Sequence, residues 1–244
     1  MNINLVMLVF SALMTFVLLF YIKRSYKQNF LNELFIITLL LMLLWNCSLI
    51  AQILFSNFLH IPAINFDYIA YIGICFLPVS LFYVSKVFSD TKIKFNFRYT
   101  LLLVVPMISL ITLWTNNYHH LFYQTYSINL NDTVTGPYTT IHFIYTYTLF
   151  GISIINLLKY SIKNAGFFSK QSILLVIGTL LPIVVNLLGT FGIIPMTVYV
   201  TPISFSIALL FFAFAIFKFK FLSVTPIAMQ RVVDRMSDCF LVIN

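Results

Sequence analysis

Long runs of apolar residues follow one another along the chain, each close to the length that crosses a lipid bilayer. A helix rises about 1.5 Å per residue, so about 20 apolar residues cross a hydrocarbon core of about 30 Å. The pattern predicts seven such helices, at Ile3–Ile22, Glu33–Phe55, Phe66–Phe88, Phe97–Thr115, Thr139–Tyr160, Gln171–Thr190 and Val198–Phe217. The runs are continuously apolar, whereas strands of a membrane β-barrel alternate. We therefore expect an all-α integral membrane protein, a bundle of seven transmembrane helices.

The composition supports this class and excludes others. Of the 244 residues, 61% are hydrophobic and 8% are charged, whereas a soluble domain carries about 25% charged residues. So few charges do not cover a water-soluble surface of this size. Soluble enzymes, nucleic-acid-binding domains and disordered chains are therefore excluded.

The basic residues predict the orientation of the bundle, because Lys and Arg concentrate in cytoplasmic loops. The connections Ser56–Asn65, Asn116–Tyr138 and Phe191–Thr197 contain none. All 14 fall on the other side: Lys23, Arg24, Lys27, Lys86, Lys92, Lys94, Arg98, Lys159, Lys163, Lys170, Lys218, Lys220, Arg231 and Arg235. We expect the N-terminus outside and the C-terminus in the cytoplasm.

A change of pattern after the last span predicts a linker helix at residues 223–238. Thr225 and Pro226 suit the N-cap and first position of a helix. Met229, Val232, Val233 and Met236 then fall on one face, with the spacing of a coiled-coil seam. Residues 239–244 read as the first strand of a further domain. We expect the linker to pair in a homodimer and to transmit a signal through Pro226, Met229, Val233 and Met236.

Polar residues within the spans indicate where a ligand could bind, because hydrocarbon penalises them. Gln52, His142, Tyr145 and Asn186 are all predicted at similar depth in the outer half of the bundle. One turn below Asn186, Pro182 removes a helical hydrogen bond and would let the helix tilt. We expect a ligand among these four residues, with Pro182 as a coupling point. Interhelical hydrogen bonding that only holds the bundle together is the alternative.

The four histidines all belong to the predicted outer side, together with two carboxylates. A divalent-metal or pH sensor is one interpretation; headgroup anchoring is the other, and we favour it. The adjacent pair His119 and His120 diverge on a helix and indicate metal only weakly. We therefore predict no metal site and no cofactor.

No catalytic motif is visible in the sequence. GxSxG, a glycine-rich phosphate loop, HExxH and CxxC are all missing, and no carboxylate pair is predicted deep in the membrane. We therefore expect no enzymatic activity of this chain.

A family resemblance runs along the sequence. The stretch from Val105-Pro106 through Asn116 to His119-His120-Leu121-Phe122 resembles the N-terminal seven-helix sensor region of bacterial histidine kinases. Further matches follow in order, at Gly136-Pro137, Gly178, Leu181-Pro182, Asn186, Gly192, Pro195, Thr201-Pro202 and Pro226-Ile227-Ala228.

The resemblance implies a multi-pass protein of a bacterial plasma membrane. It has a sensory input module at 1–222, the linker at 223–238 and the start of a truncated PAS-like domain at 239–244. In this family a PAS domain and a kinase core usually follow, so the output domain would act in cis or in trans. Neither a phosphoacceptor region nor an ATP-binding lobe is present in this sequence. The expected partners are the bilayer, a second copy, the output domain and an external ligand. The class of this ligand is left open: a peptide, a lipid, a metabolite, a metal or a proton are all compatible with the sequence. The alternative function is that of a small transporter or channel.

Overall fold

The computed structural model describes residues 2–26, 29–59, 61–89, 97–163, 167–219 and 221–222. Its helices are α1 (Ile3–Ser25), α2 (Phe30–Leu59), α3 (Ala63–Ser89), α4 (Phe97–Thr100), α5 (Val104–Trp114), α6 (Asn116–His119), α7 (Pro137–Lys163), α8 (Phe167–Thr190) and α9 (Val200–Phe217). Two short strands, β1 (Tyr123–Thr125) and β2 (Val134–Thr135), pair antiparallel. The predicted linker 223–238, with Pro226, Met229, Val233 and Met236, and the strand 239–244 lie outside the described residues.

Six helices of the described part are long and apolar enough to cross a membrane: α1, α2, α3, α7, α8 and α9. Each coincides with a predicted span. A shorter apolar helical stretch, Leu101–Trp114, lies where the fourth span is predicted. Large apolar side chains such as Phe10, Phe16 and Ile144 remain exposed on the outside of the bundle, where lipid would cover them. The predicted all-α transmembrane bundle is confirmed.

The fourth span is not the uninterrupted helix that the apolar pattern predicts. A 3₁₀ turn, Leu101–Leu103, separates α4 from α5. Pro106 has no N–H, so the carbonyl of Leu102, four residues earlier, loses its helical partner. The hydroxyl of Tyr145 on α7 donates to that carbonyl instead. A proline and a tyrosine from another helix thus define this break.

The six long helices form a closed ring. Along the ring α1 packs on α2, α2 on α3, α3 on α7, α7 on α8, α8 on α9, and α9 returns to α1. The shorter α5 packs outside the ring against α3 and α7. Helices α8 and α9 approach closely because Gly178 faces Phe212: a Cβ at position 178 would lie 2.6 Å from that ring. Small residues commonly allow such contacts in membranes.

The two ends of the ring differ in packing. At the end that carries the basic side chains, the basic end, aromatic rings fill the interior; Phe35 lies 5.7 Å from both Phe212 and Phe221, measured between ring centroids. Phe88 lies 5.0 Å from Phe221 in the same cluster. The interior of the other end is less filled and holds cavities.

Two connections cover that second end and bond to each other. The Leu130 amide donates to the Met196 carbonyl at 3.0 Å, and the Val198 amide to the Ile128 carbonyl at 3.1 Å. We call residues 116–136 together with 191–199 the lid. Because these hydrogen bonds join the two connections, the lid covers this end of the ring as one unit.

Candidate ligand-binding site

A cavity of about 490 Å³ lies directly beneath the lid. Helix residues and lid residues both line it, among them Trp45, Asp67, Tyr71, Tyr123, Phe143 and Asn186. We call it the lid chamber. Its volume falls within the range of about 300–1,000 Å³ that is typical of small-molecule pockets.

A smaller cavity of about 100 Å³ lies next to the lid chamber, between helices α2, α3, α7, α8 and α9. We call it the core chamber. Both chambers share the lining residues Trp45, Ile74, Phe143, Asn186 and Thr201. They are therefore contiguous, and a molecule beneath the lid lies beside the centre of the bundle.

Asp67, near the start of α3, is the acidic residue of the lid chamber. It is only 3% exposed, and its carboxyl group hydrogen-bonds with the side chains of Tyr126 and Gln52. The Gln52 amide also donates to the Ala63 carbonyl at 2.8 Å and to the Tyr126 hydroxyl at 3.2 Å. Two helices and the lid thus meet at one buried carboxyl group.

Lid tyrosines complete this cluster. The hydroxyls of Tyr71 and Tyr123 lie 2.5 Å apart. Burial raises the pKa of Tyr126, and the charge of Asp67 raises it further. Burial also raises the pKa of Tyr123 well above its usual value. Both lid phenols therefore stay protonated at neutral pH and act as hydrogen-bond donors.

Local sequence explains why Tyr123 reaches the chamber. The side-chain amide of Asn116 donates to the Tyr123 carbonyl at 2.8 Å, and its oxygen accepts from the Phe122 and Tyr123 amides at 2.9 and 3.1 Å. The Gly136 amide donates to the Phe122 carbonyl at 2.7 Å, and a Cβ at position 136 would collide with the Leu121 carbonyl. The residues between Asn116 and Gly136 thus form a rigid scaffold for Tyr123.

The two histidines of the lid make local contacts. His120 adopts a left-handed conformation with φ 52°. The His119 ring accepts from the Leu121 amide through Nδ1 and lies 3.0 Å from the Thr115 hydroxyl through Nε2. Both histidines are exposed and shape this turn. Within the described ranges, no group of three His, Cys, Asp or Glu could hold a metal ion.

His142 lies inside the bundle. It is 2% exposed, its Nδ1 lies 3.1 Å from the Ser109 hydroxyl, and its ring lines the core chamber. The Ser109 hydroxyl also lies 3.1 Å from the Tyr138 hydroxyl. His142 therefore joins α7 to α5 while one side of its ring borders the cavity.

Asn186 ties three helices together at the junction of the two chambers. Its side-chain oxygen accepts from the Tyr147 hydroxyl of α7 at 2.5 Å, and its amide donates to the Thr201 hydroxyl of α9 at 3.0 Å. Because Asn186 itself belongs to α8, any molecule that hydrogen-bonds to its side chain competes with the bonds that join α8 to α7 and α9. Pro182, one turn away, also lines the core chamber.

Of the four residues predicted to bind a ligand, two border the cavities, and a third hydrogen-bonds to a residue that lines the lid chamber. His142 and Asn186 border the cavities, and Gln52 hydrogen-bonds beside Asp67. Tyr145 lies apart from them, because its hydroxyl satisfies the Leu102 carbonyl. The Tyr145 hydroxyl therefore takes the place of the backbone N–H that Pro106 lacks.

Sequence reasoning missed Asp67, Tyr71, Tyr123 and Tyr126. In the sequence, Asp67 stands out only as one of the two carboxylates on the predicted outer side, with Asp132. The available signal was an acidic residue inside the beginning of an apolar run, which hydrocarbon penalises. The tyrosines gave no such signal, since their burial depends on the folded lid.

The fold defines a multi-pass, all-α membrane protein, consistent with a bacterial plasma membrane. Residues 7–226 match the family model described as the N-terminal 7TM region of histidine kinase, and the chain belongs to this family. The predicted resemblance is thereby confirmed. No curated protein and no solved structure matches the chain.

Family membership fixes the function at a coarse level. The matched part is the sensor region of such kinases and not their catalytic part. It implies a sensory input role, embedding in a membrane and a cytoplasmic output domain.

Proposed function

We propose that the chain is the transmembrane input module of a histidine-kinase-type receptor, with the lid outside the cell. An external or membrane-dissolved ligand binds in the lid chamber, close to Asn186, His142 and Gln52. The module comprises residues 1–222, and the helix at 223–238 passes the signal to a PAS or kinase output domain at 239 and beyond. Two copies pair through that helix.

The position of Asn186 is the observation that carries this proposal. Its side chain bridges α7, α8 and α9 at the point where both chambers meet. A ligand that accepts or donates at Asn186 replaces one of these bonds. Occupancy of the chamber then favours one arrangement of α8 relative to α7 and α9.

Contacts at the basic end carry such a movement toward the linker. The Gln171 side chain, near the start of α8, donates to the Phe219 carbonyl just beyond α9. The Tyr26 hydroxyl donates to the Ile216 carbonyl at 3.1 Å. The end of α9 is therefore held by both α8 and the residue after α1, so a tilt of α8 about Pro182 displaces the exit of the chain.

The packing favours a receptor over the alternative of a transporter or channel. The chambers end at the aromatic cluster of Phe35, Phe88, Phe212 and Phe221. In the described part of the chain, these packed rings fill the interior of the bundle at the basic end. A receptor passes its signal across this aromatic cluster by moving helices, whereas a transporter or channel would need an opening through the cluster.

The decisive variants are Asn186→Ala and Tyr145→Phe, each in a chain fused after Asp238 to a histidine kinase core. Asn186→Ala should abolish the change in autophosphorylation that the native stimulus causes, because it removes the bridge between three helices. Tyr145→Phe should keep the response and lower stability by about 1–3 kcal/mol, since the partly buried Leu102 carbonyl loses its donor.

Membrane insertion of both variants is checked by fractionation and by thermal unfolding in detergent. A normal response of Asn186→Ala would show that its bonds only hold the bundle together, and the proposal would fail. Loss of response in Tyr145→Phe at unchanged stability would instead assign Tyr145 a part in ligand binding.

A further inference from the structure

The charge of Asp67 is not balanced by a cation in the described part of the chain. The Lys and Arg side chains that the structure describes lie at the basic end, and the hydrogen-bonding neighbours of Asp67, Gln52 and Tyr126, are neutral. Burying a carboxylate is costly unless it is paired with an opposite charge. The hydrogen bonds offset this cost only in part, so a cation that binds beside this carboxyl group would stabilise its charged form.

Aromatic rings line the chamber next to this carboxylate. Trp45, Tyr71, Tyr123 and Phe143 all border it, and Tyr71 and Tyr123 stand edge to face at 85° with their centroids 6.3 Å apart. The face of an aromatic ring attracts a cation, and Trp and Tyr do so most strongly. A carboxylate next to several aromatic rings is chemistry suited to an ammonium group.

We propose that the lid chamber binds an organic ammonium ion, a small amine or the N-terminus of a peptide, with its positive charge on Asp67 and against these rings. This proposal rests on the proposed function and names the ligand class for the same chamber. The volume of about 490 Å³ admits a small amine or the first residues of a peptide. Asn131, Thr133 and Thr135 on the lid side offer polar groups to the rest of the ligand.

A tryptophan inside the chamber reports binding directly. The chain has two Trp residues, and only Trp45 borders the chamber; Trp114 lies on α5 and donates to the Tyr68 carbonyl. The full chain carrying Trp114→Phe, in lipid nanodiscs, then has Trp45 as its single indole. Its fluorescence is titrated with 2-phenylethylamine, 2-phenylethanol and phenylacetate, which share a shape and differ in charge.

The amine should change the Trp45 fluorescence saturably, with half-saturation at a concentration at least about tenfold lower than for the alcohol, and phenylacetate should have no effect. Asp67→Asn should raise the half-saturation of the amine to that of the alcohol. Asp132→Asn removes an exposed carboxylate of the lid and should change nothing. Phenylalaninamide dipeptides with a free or acetylated N-terminus then distinguish a peptide source from a free amine.

Equal half-saturation for amine and alcohol would overturn the ammonium proposal, as would an unchanged affinity in Asp67→Asn or no saturable change with any amine. The wild-type comparison of amine and alcohol decides alone where Asp67→Asn does not fold. These outcomes can be distinguished from failure of the proposed function. Saturable binding without a preference for the amine would overturn only the ammonium proposal, and the chamber would still be a ligand site. A normal response of Asn186→Ala would overturn the proposed function itself.

Discussion

The two chambers of this bundle are adjacent but built from different parts of the chain. The lid chamber is walled partly by connections, and Tyr123 joins Asp67 and Tyr71 of α3 only when the lid is folded. The core chamber is walled by helices alone, mainly by apolar side chains, and borders Pro182 and Gly178. Under the proposed function, the lid chamber is the place for recognition, and the core chamber is the place where helices would shift.

In the proposed receptor, the two chambers would serve two separate requirements, selectivity for a ligand and transmission of a signal. Selectivity needs fixed polar groups, and the lid supplies them through the scaffold between Asn116 and Gly136. Transmission needs helices with alternative packing, and the space beside Pro182 permits that. Asn186 belongs to both chambers and connects the two demands.

Breaking the lid scaffold should have the largest effect. In Gly136→Ala the new Cβ collides with the Leu121 carbonyl, so the lid must shift. We expect amides of residues 121–136 to exchange hydrogen faster by on the order of 30-fold or more, corresponding to about 2 kcal/mol. Hydrogen exchange with mass spectrometry measures this.

Gly151→Ala in α7 is the matched control, because nothing lies within 4 Å of a Cβ there. Its lid exchange should be unchanged, while the helix gains up to about 1 kcal/mol from the better helix former. Unaltered lid exchange in Gly136→Ala would mean that the scaffold tolerates the shift and does not fix Tyr123.

The sequence predicts the helices far better than the site. Six apolar runs became the six long helices, since about 20 apolar residues have one stable conformation in lipid. The fourth apolar run is not one continuous helix, because Pro106 removes a helical hydrogen bond and the Tyr145 hydroxyl, about 40 residues away, replaces it. The apolar pattern does not show that Tyr145 and Leu102 meet.

The site depends on still longer-range contacts. Asn186 and His142 were predicted from polarity inside apolar runs, and both border the cavities. Tyr145 has the same polarity but serves the backbone, and periodicity does not distinguish these roles. The hydrogen-bond partners of Asp67 are Gln52 on another helix and Tyr126 on the lid, and the sequence pattern does not show that they meet.

A small change in the core chamber should sharpen the contrast between the chambers. The Thr146 hydroxyl is buried there and has no hydrogen-bond partner among the described residues. Thr146→Val removes this group at constant shape and should raise the free energy of unfolding by about 0.5–1 kcal/mol, measured as a higher midpoint of thermal unfolding in detergent.

Thr148→Val, on the exposed side of the same helix, is the control. Its hydroxyl donates to the Ile144 carbonyl at 2.6 Å, and its loss should change stability by no more than about 0.5 kcal/mol. A loss of stability or of signalling in Thr146→Val would show that the hydroxyl has a partner in the working protein, and the core chamber would then also take part in recognition.

Closing the lid chamber chemically tests most directly whether its occupancy controls the output. Thr135 borders the chamber, whereas Gln124 is exposed on the lid and does not. Each is replaced by Cys in a chain without its three native cysteines, fused to a kinase core, and intact cells receive a membrane-impermeant thiol reagent. Both sites should react, and only modification of Thr135→Cys should fix autophosphorylation at a level that the native stimulus no longer changes. A normal response after complete modification at position 135 would contradict control by the chamber, and failure of both cysteines to react would contradict an external lid.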